Sequence, residues 1–263
     1  MYCLSFDIEE FDLPRELGYD IEFGRQMEVS RQGTRAVLDI LRKHSVRATF
    51  FVTVKFAENA PEELSRIVAE GHELASHGMN HWHFEPDHLA QSRLRLQDLT
   101  GAEVKGFRMA RMAKVEPELF ATAGYNYESS LNPTFIPGRY NHLTKPRTPF
   151  VQRGGVLQIP TSVTPWVRFP MFWLAGHVLP PVVYKALARR IHAHDGYFAT
   201  YSHPWEYFPL HTLAPDIKIP LMIRHRSGAG MQRMLEEVIA DAKKHGIAFG
   251  TYSELAQLYS AHI

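Results

Sequence analysis

The chain is nearly devoid of cysteine: Cys3 is the single one among 263 residues. An internal disulfide is excluded, and the composition suits a reducing compartment. Cys3 itself reads as a small apolar residue of a first strand. Long hydrophobic runs are missing too. A membrane-spanning helix needs about 20 consecutive apolar residues, and the nearest approach, residues 163–187, is interrupted by Arg168, His177, Lys185 and four prolines. Charge of one sign is equally scarce. The 29 Lys and Arg against 28 Asp and Glu leave a net charge of +1, which gives no footprint for nucleic acid, no basic tail and no acidic run. The opening Met1-Tyr2-Cys3-Leu4-Ser5-Phe6-Asp7 meets a carboxylate at once and reads as neither a signal nor a transit peptide. A cytoplasmic location is therefore expected. No internal repeat or linker is visible, so residues 1–263 are expected to form one domain, and 45% hydrophobic content can fill its core.

What is present is an alternation of strand and helix patterns. Residues 1–7 read as a strand with Tyr2, Leu4 and Phe6 on one face, followed by a polar loop over 13–27. Ser30 is placed to cap a helix with an apolar stripe of Ala36, Val37, Ile40 and Leu41. A β-branched and aromatic run over 46–54 predicts a buried strand. Pro61 opens a helix that Gly71 ends, and 72–76 is the next strand. Helices over 86–99, 116–123, 181–193, 231–244 and 253–259 alternate with strands over 104–108, 125–129, 156–160, 197–202 and 247–250; residues 130–153 look irregular. This alternation predicts a parallel α/β fold, and seven or eight units predict a closed, TIM-like barrel. Asp7, His77, Arg108 and His203 each fall at the C-terminal end of a predicted strand. In a barrel those ends share one face, where active sites are built.

His77 and His81 are four residues apart in the stretch Gly71-His72-Glu73-Leu74-Ala75-Ser76-His77-Gly78-Met79-Asn80-His81. If one helical turn follows the strand, their side chains lie about 5–6 Å apart, a spacing that lets two imidazoles grip one divalent metal. A metalloprotease helix would need Glu at position 78, where Gly78 stands. On an extended backbone Asp7 and Glu9 point to one side and Glu10 to the other. One carboxylate can complete a two-His-one-carboxylate site and the other can serve as general base. His72 and His83 read as surface groups or as supports for the ligands. The aromatic segment from Trp166 to Trp173 reads either as a flap on the core or as an apolar lip for a lipid-linked or aromatic-stacked substrate.

Taken in order, several segments carry a resemblance: Ser5-Phe6-Asp7-Ile8-Glu9-Glu10, Ala48-Thr49-Phe50-Phe51-Val52, Gly71 to His81, Gly106-Phe107-Arg108, Gly124 to Ser130, and Tyr201-Ser202-His203-Pro204. The chain resembles the polysaccharide deacetylases of the NodB-homology family, the fourth carbohydrate esterase family. The resemblance implies a distorted (β/α)7-8 barrel and metal-dependent removal of N-acyl groups, usually N-acetyl, from amino sugars. Carried over residue by residue, it makes Asp7 the general base and Arg108 its partner. It gives His77, His81 and a neighbouring acid as metal ligands; strand geometry favours Glu9, with Glu10 the alternative. His203 becomes the general acid.

The ligand set suits Zn²⁺, with Co²⁺, Ni²⁺, Fe²⁺ and Mn²⁺ also open. One departure stands out: family members usually continue Arg-x-Pro-aromatic, whereas here the residues are Arg108-Met109-Ala110-Arg111. Arg111 is therefore a candidate contact for an anionic substrate group, and Trp205 and Glu206, which flank His203, and Trp173 are candidates for shaping the pocket. The expected substrate is a glycan or amino-sugar precursor, with lipid linkage open. Two other readings compete: a C–N hydrolase acting on a non-sugar amide or a cyclic ureide or imide, and a catalytically inactive glycan-binding barrel.

Overall fold

Alternating side chains on the first strand separate the two layers of the structure. In the computed structural model, residues 1–213 and 217–260 are described. The strands are β1 (Tyr2–Ile8), β2 (Thr49–Val52), β3 (Glu73–Ser76), β4 (Gly106–Phe107), β5 (Tyr127–Glu128), β6 (Phe135–Ile136), β7 (Tyr140–Asn141), β8 (Phe150–Val151), β9 (Leu157–Gln158) and β10 (Phe198–Ser202). The helices are α1 (Leu13–Glu16), α2 (Phe23–Lys43), α3 (Val54–Asn59), α4 (Pro61–Ala69), α5 (His88–Thr100), α6 (Pro117–Thr122), α7 (Trp173–Val178), α8 (Pro181–Asp195), α9 (Leu221–Arg224), α10 (Ala229–Lys244) and α11 (Tyr252–Ser260). None of them is long and apolar enough to cross a membrane.

Eight strands form one sheet in the order β10-β1-β2-β3-β4-β5-β9-β8, while β6 and β7 make a separate hairpin. All neighbours in the large sheet are parallel except β8 and β9. The chain leaving β9 then crosses towards β10: Ser162 N–H donates to Ala199 O at 2.8 Å, and Ser162 Oγ accepts from Ala199 N–H at 2.9 Å. The sheet thus curls into the expected distorted barrel, closed by this irregular stretch. The strand predicted over 247–250 is reduced to one bridge, Tyr2 with Phe249. The register explains why: β2 joins β1 only from Ser5 onward, with β10 on the other edge, so little of β1 is left to pair.

On β1 the outward set Leu4, Phe6 and Ile8 packs with Val37, Leu38, Leu41, Leu64 and Leu235 of the surrounding helices. The inward set begins with Cys3 among Phe51, Ala75, Tyr127 and Leu157, where Tyr252 and Leu255 of α11 plug the barrel bottom. Ser5, Asp7 and Glu9 follow on the same side, all buried, as the two-residue period of a strand requires. The inner wall therefore passes from apolar to ionisable as it nears the C-terminal rim.

α2 begins at Phe23, earlier than the polar look of residues 13–27 suggested, because Gln26, Met27, Ser30, Thr34, Val37 and Leu41 all fall on its buried face. Ser30 is inside the helix and caps nothing. Its hydroxyl donates to Glu9 O at 2.6 Å and ties the end of the first strand to α2. Gly33 lets α2 approach the turn after β10. A Cβ there would sit 1.9 Å from Pro204 O and 2.5 Å from Pro204 C, so only glycine allows this contact.

Candidate metal centre and catalytic pocket

The parallel register brings the strand ends level. Asp7 pairs with Phe51, Phe51 with Ala75, Ser76 with Phe107, and Phe6 with Ser202. The residues just beyond these partners, His77, Arg108 and His203, consequently reach one face. Asp7, Glu9, Asp12, His77, His81 and His203 line a cavity of about 240 Å³ there. No helical turn carries the histidine pair, contrary to the sequence expectation; residues 77–81 form an irregular loop. The loop still brings the two rings to 5.9 Å, nearly parallel.

Glu9 Oε2 lies 3.4 Å from His77 Nε2 and 3.1 Å from His81 Nε2. Four-coordinate Zn²⁺ holds N and O ligands at about 2.0–2.2 Å, which puts neighbouring ligand atoms about 3.3 Å apart. Two networks fix the rings. His77 Nδ1 is 2.8 Å from the Arg108 carbonyl, and His81 Nδ1 is 2.6 Å from Asp12 Oδ2. Both partners only accept, so each Nδ1 carries its hydrogen and each Nε2 faces Glu9. Glu9 Oε2 is buried with no hydrogen-bond partner. Two imidazole nitrogens and an orphaned carboxylate oxygen therefore converge on one point, and a divalent cation fits them. Without a cation a proton partly replaces it. Burial opposes charge on both groups, but Glu9 and Asp12 raise His81 to about 9, and His81 with His77 lowers Glu9 to about 2.

Glu10 is turned away from this point. Its Oε2 accepts from Thr53 Oγ1 at 3.2 Å, and Oε1 is 3.7 Å from Lys55 Nζ. Thr53 Oγ1 in turn accepts from Phe56 N–H and caps α3. Strand geometry thus separates the two glutamates as their spacing suggested.

Arg108 is fully buried between the rings of Phe51 at 4.0 Å, Tyr201 at 5.0 Å and Tyr252 at 5.3 Å. Its Nη1 donates to Asp7 Oδ1 at 2.5 Å and to Ser5 Oγ at 2.9 Å. Nε donates to Ser129 O at 3.0 Å and Nη2 to Ser129 Oγ at 3.1 Å. Asp7 is thereby fixed with one oxygen engaged.

On the other side of the cavity, His203 stacks on Trp205 at 4.9 Å and meets Trp173 edge-on at 5.5 Å. Trp205 Nε1 donates to Glu9 Oε1 at 3.3 Å. The Nδ1 of His203 is 3.0 Å from Glu206 Oε1. Burial disfavours the imidazolium, but the Glu206 bond, with Glu9, Glu206 and Asp7 nearby, raises the His203 pKa.

Arg111 borders the cavity but is already engaged, paired with Glu16 at 2.9 Å and lying 4.0 Å over the Trp82 ring. Both Arg111 and Met112 have left-handed φ, 56° and 54°, a strained geometry for side-chain-bearing residues. His72 is buried elsewhere, accepting from Ala48 N–H, and His83 is exposed. Sequence reasoning missed Asp12 and His177, and it read Glu206 only as a residue beside His203 that shapes the pocket. Asp12 was within reach as the fourth acid of Asp7-x-Glu9-Glu10-x-Asp12, whereas nothing local marks His177.

Residues 18–114 match the family model described as polysaccharide deacetylase. That span holds His77, His81 and Arg108 but stops short of Asp7, Glu9 and His203. The chitooligosaccharide deacetylase of Sinorhizobium fredii is 41% identical over 80 residues, covering 30% of this chain and 34% of that protein. The peptidoglycan-N-acetylmuramic acid deacetylase of Bacillus subtilis is 38% identical over 65 residues, 25% of this chain and 23% of that protein. The matches thus span about a third or less of these relatives' own lengths. A solved structure from Mycobacterium smegmatis, described as a polysaccharide deacetylase, covers 99% of this chain and 90% of its own, with TM-score 0.69 and 19% identity. That last likeness concerns the fold.

Proposed function

Since the chain is related to the polysaccharide deacetylases, we propose that it is a metal-dependent hydrolase removing an N-acyl group, most simply acetyl, from an amino sugar of a glycan or glycan precursor. The observation that carries this reading is the meeting of Glu9 Oε2 with His77 Nε2 and His81 Nε2 at 3.4 and 3.1 Å, in the same cavity as Asp7 and His203. Glu9, His77 and His81 would hold the cation, with Zn²⁺ the first candidate from this donor set. When bound, such an ion polarises the acyl oxygen and lowers the pKa of a bound water from about 15.7 to near 7.

The protein's own groups supply the rest. Arg108 engages Asp7 Oδ1, which leaves Oδ2 to accept a proton from the attacking water. His203, held by Glu206 at Nδ1, presents Nε2 and gives its proton to the sugar nitrogen as the C–N bond breaks. A carboxylic acid and a free amine are the products. Trp205 and Trp173 fix the His203 ring and wall the cavity. Beyond Arg111, Arg139 and Tyr140 the cavity continues into a groove of about 750 Å³, which gives neighbouring sugars room. Trp166 and Val167, 79% and 80% exposed, form an apolar tip suited to a lipid-linked substrate at a cytoplasmic membrane face.

The test is acetate release from N-acetylated chitooligosaccharides and peptidoglycan fragments by Zn²⁺- or Co²⁺-loaded protein, with metal content measured alongside. His77→Ala should lose metal and turnover together, and Asp7→Asn should keep the metal and lose the rate. Turnover in metal-free His77→Ala would overturn the mechanism. Hydrolysis of cyclic ureides alone, or glycan binding without hydrolysis, would replace this reading with one of its competitors.

A further inference from the structure

Behind the cavity lies a buried polar chain that the reaction above does not use. Glu206 sits in the turn after β10, fully buried, and its two oxygens have separate tasks. Oε1 accepts from His203 N–H at 2.5 Å and faces His203 Nδ1 at 3.0 Å. Oε2 is 2.9 Å from Nε2 of His177, a residue of α7 that is also fully buried. We propose that His177 is a positioning residue for His203, acting through Glu206, so that α7 and the turn after β10 together aim the acid at the substrate nitrogen.

The argument starts from hydrogen-bond accounting. A buried carboxylate needs donors at both oxygens, because an unpaired one carries a heavy desolvation cost. His177 Nδ1 has no partner, so the tautomer that satisfies the site carries its hydrogen on Nε2 and donates to Oε2. With Oε2 engaged, the plane of the Glu206 carboxylate is fixed, and the other oxygen stays directed at His203. Burial would raise the Glu206 carboxyl, but the bonds from His177 and His203 outweigh it and keep the group anionic. Trp173 ties the two histidines mechanically as well, meeting His177 edge-on at 5.9 Å and His203 at 5.5 Å. The bland alternative is that His177 merely fills core space, and an apolar side chain of similar size would then serve as well.

This inference rests on the hydrolase reading for its kinetic arm only. The closing experiment compares His177→Leu, His177→Asn and His177→Gln in the full-length, metal-loaded protein. The Gln amide nitrogen can occupy the place of Nε2, whereas Asn reaches only as far as Nδ1. The structural readout is the low-field Nδ1–H proton signal of His203 by NMR, assigned by its loss in His203→Gln. That signal is expected in the wild type and His177→Gln and is expected to be lost or moved in His177→Leu and His177→Asn. In acetate release, kcat should fall about ten- to a hundredfold in the Leu and Asn variants with KM nearly unchanged, as expected for a misdirected proton donor. It should recover in the Gln variant. An unmoved signal in folded His177→Leu or His177→Asn overturns the proposal, as does a Gln variant no better than Asn. A silent wild type with the expected NMR pattern would refute the hydrolase reading and leave the relay standing.

Discussion

Replacing Arg108 by Met tests whether the barrel interior is built around the Asp7–Arg108 pair. The guanidinium is fully buried, and Asp7, 2% exposed, meets solvent only through the cavity, so neither charge is well hydrated. Methionine fills much of the stem volume but removes the bonds to Asp7 Oδ1, Ser5 Oγ, Ser129 O and Ser129 Oγ. Breaking a buried pair by removing one partner costs about 3–5 kcal/mol, mostly because the other charge is stranded. Over 263 residues, an unfolding entropy of about 2.1 cal/mol/K per residue turns this into a fall in Tm of about 5–9 °C. Thermal and urea unfolding at pH 7 measure it. The double variant Asp7→Asn/Arg108→Met discriminates the cause. If a stranded carboxylate dominates, the double variant is more stable than Arg108→Met alone, a large departure from additivity. An Arg108→Met protein within about 1 kcal/mol of wild type, or a double variant whose losses simply add, would refute the reasoning.

Further outcomes follow from the same packing. In the metal-free protein His81 is raised to about 9, and a cation must displace its Nε2 proton. Zn²⁺ affinity should therefore rise up to about tenfold per unit between pH 7 and pH 9, with roughly one proton released per ion, measured by calorimetry in buffers of different ionisation heat; pH-independent affinity would contradict it. For stability the sign is the reverse: the raised His81 favours the metal-free fold below its unfolded value of about 6.5, and that contribution fades as pH climbs through about 9. Gly33→Ala should cost about 1–3 kcal/mol or more, because the added Cβ would meet Pro204 O at 1.9 Å. It should also lower kcat more than metal content, since the turn it displaces carries His203 and Glu206.

The parts legible in the sequence were those written in a short period. Cys3, Ser5, Asp7 and Glu9 follow the alternation of a strand, so which glutamate faces the cavity could be read from two residues. His77, Arg108 and His203 each follow an apolar strand, and parallel pairing in register brings such ends together wherever the helices lie. The helical stripe of α2 was legible from Ala36 onward but not before. Residues 23–30 bury polar groups such as Gln26 and Ser30, whose partners, Ile21 O and Glu9 O, belong to other segments. Barrel closure was hidden for a similar reason. It depends on Ser162 bonding Ala199 within a stretch that has no regular strand pattern.

The same contrast separates the residues that would perform the chemistry from those that hold them. Asp7, His77 and His203 stand at or just past strand ends, and that position leaves a local trace: a strand pattern followed by Asp or His. Asp12 and His177 would act only through another side chain, so their one requirement is to reach one atom from wherever the chain passes, whereas Glu206 bonds His203 from three residues on. Asp12 reaches His81 across 69 positions and His177 reaches Glu206 across 29. No spacing rule connects such pairs. The turn after Arg108 belongs to this class as well. It runs through a strained Arg111-Met112 pair, tied through Arg111 to Glu16 and Trp82. The rim on that side is thus built from the contacts of Glu16, Arg111 and Trp82, which are distant in sequence and which no local pattern announces.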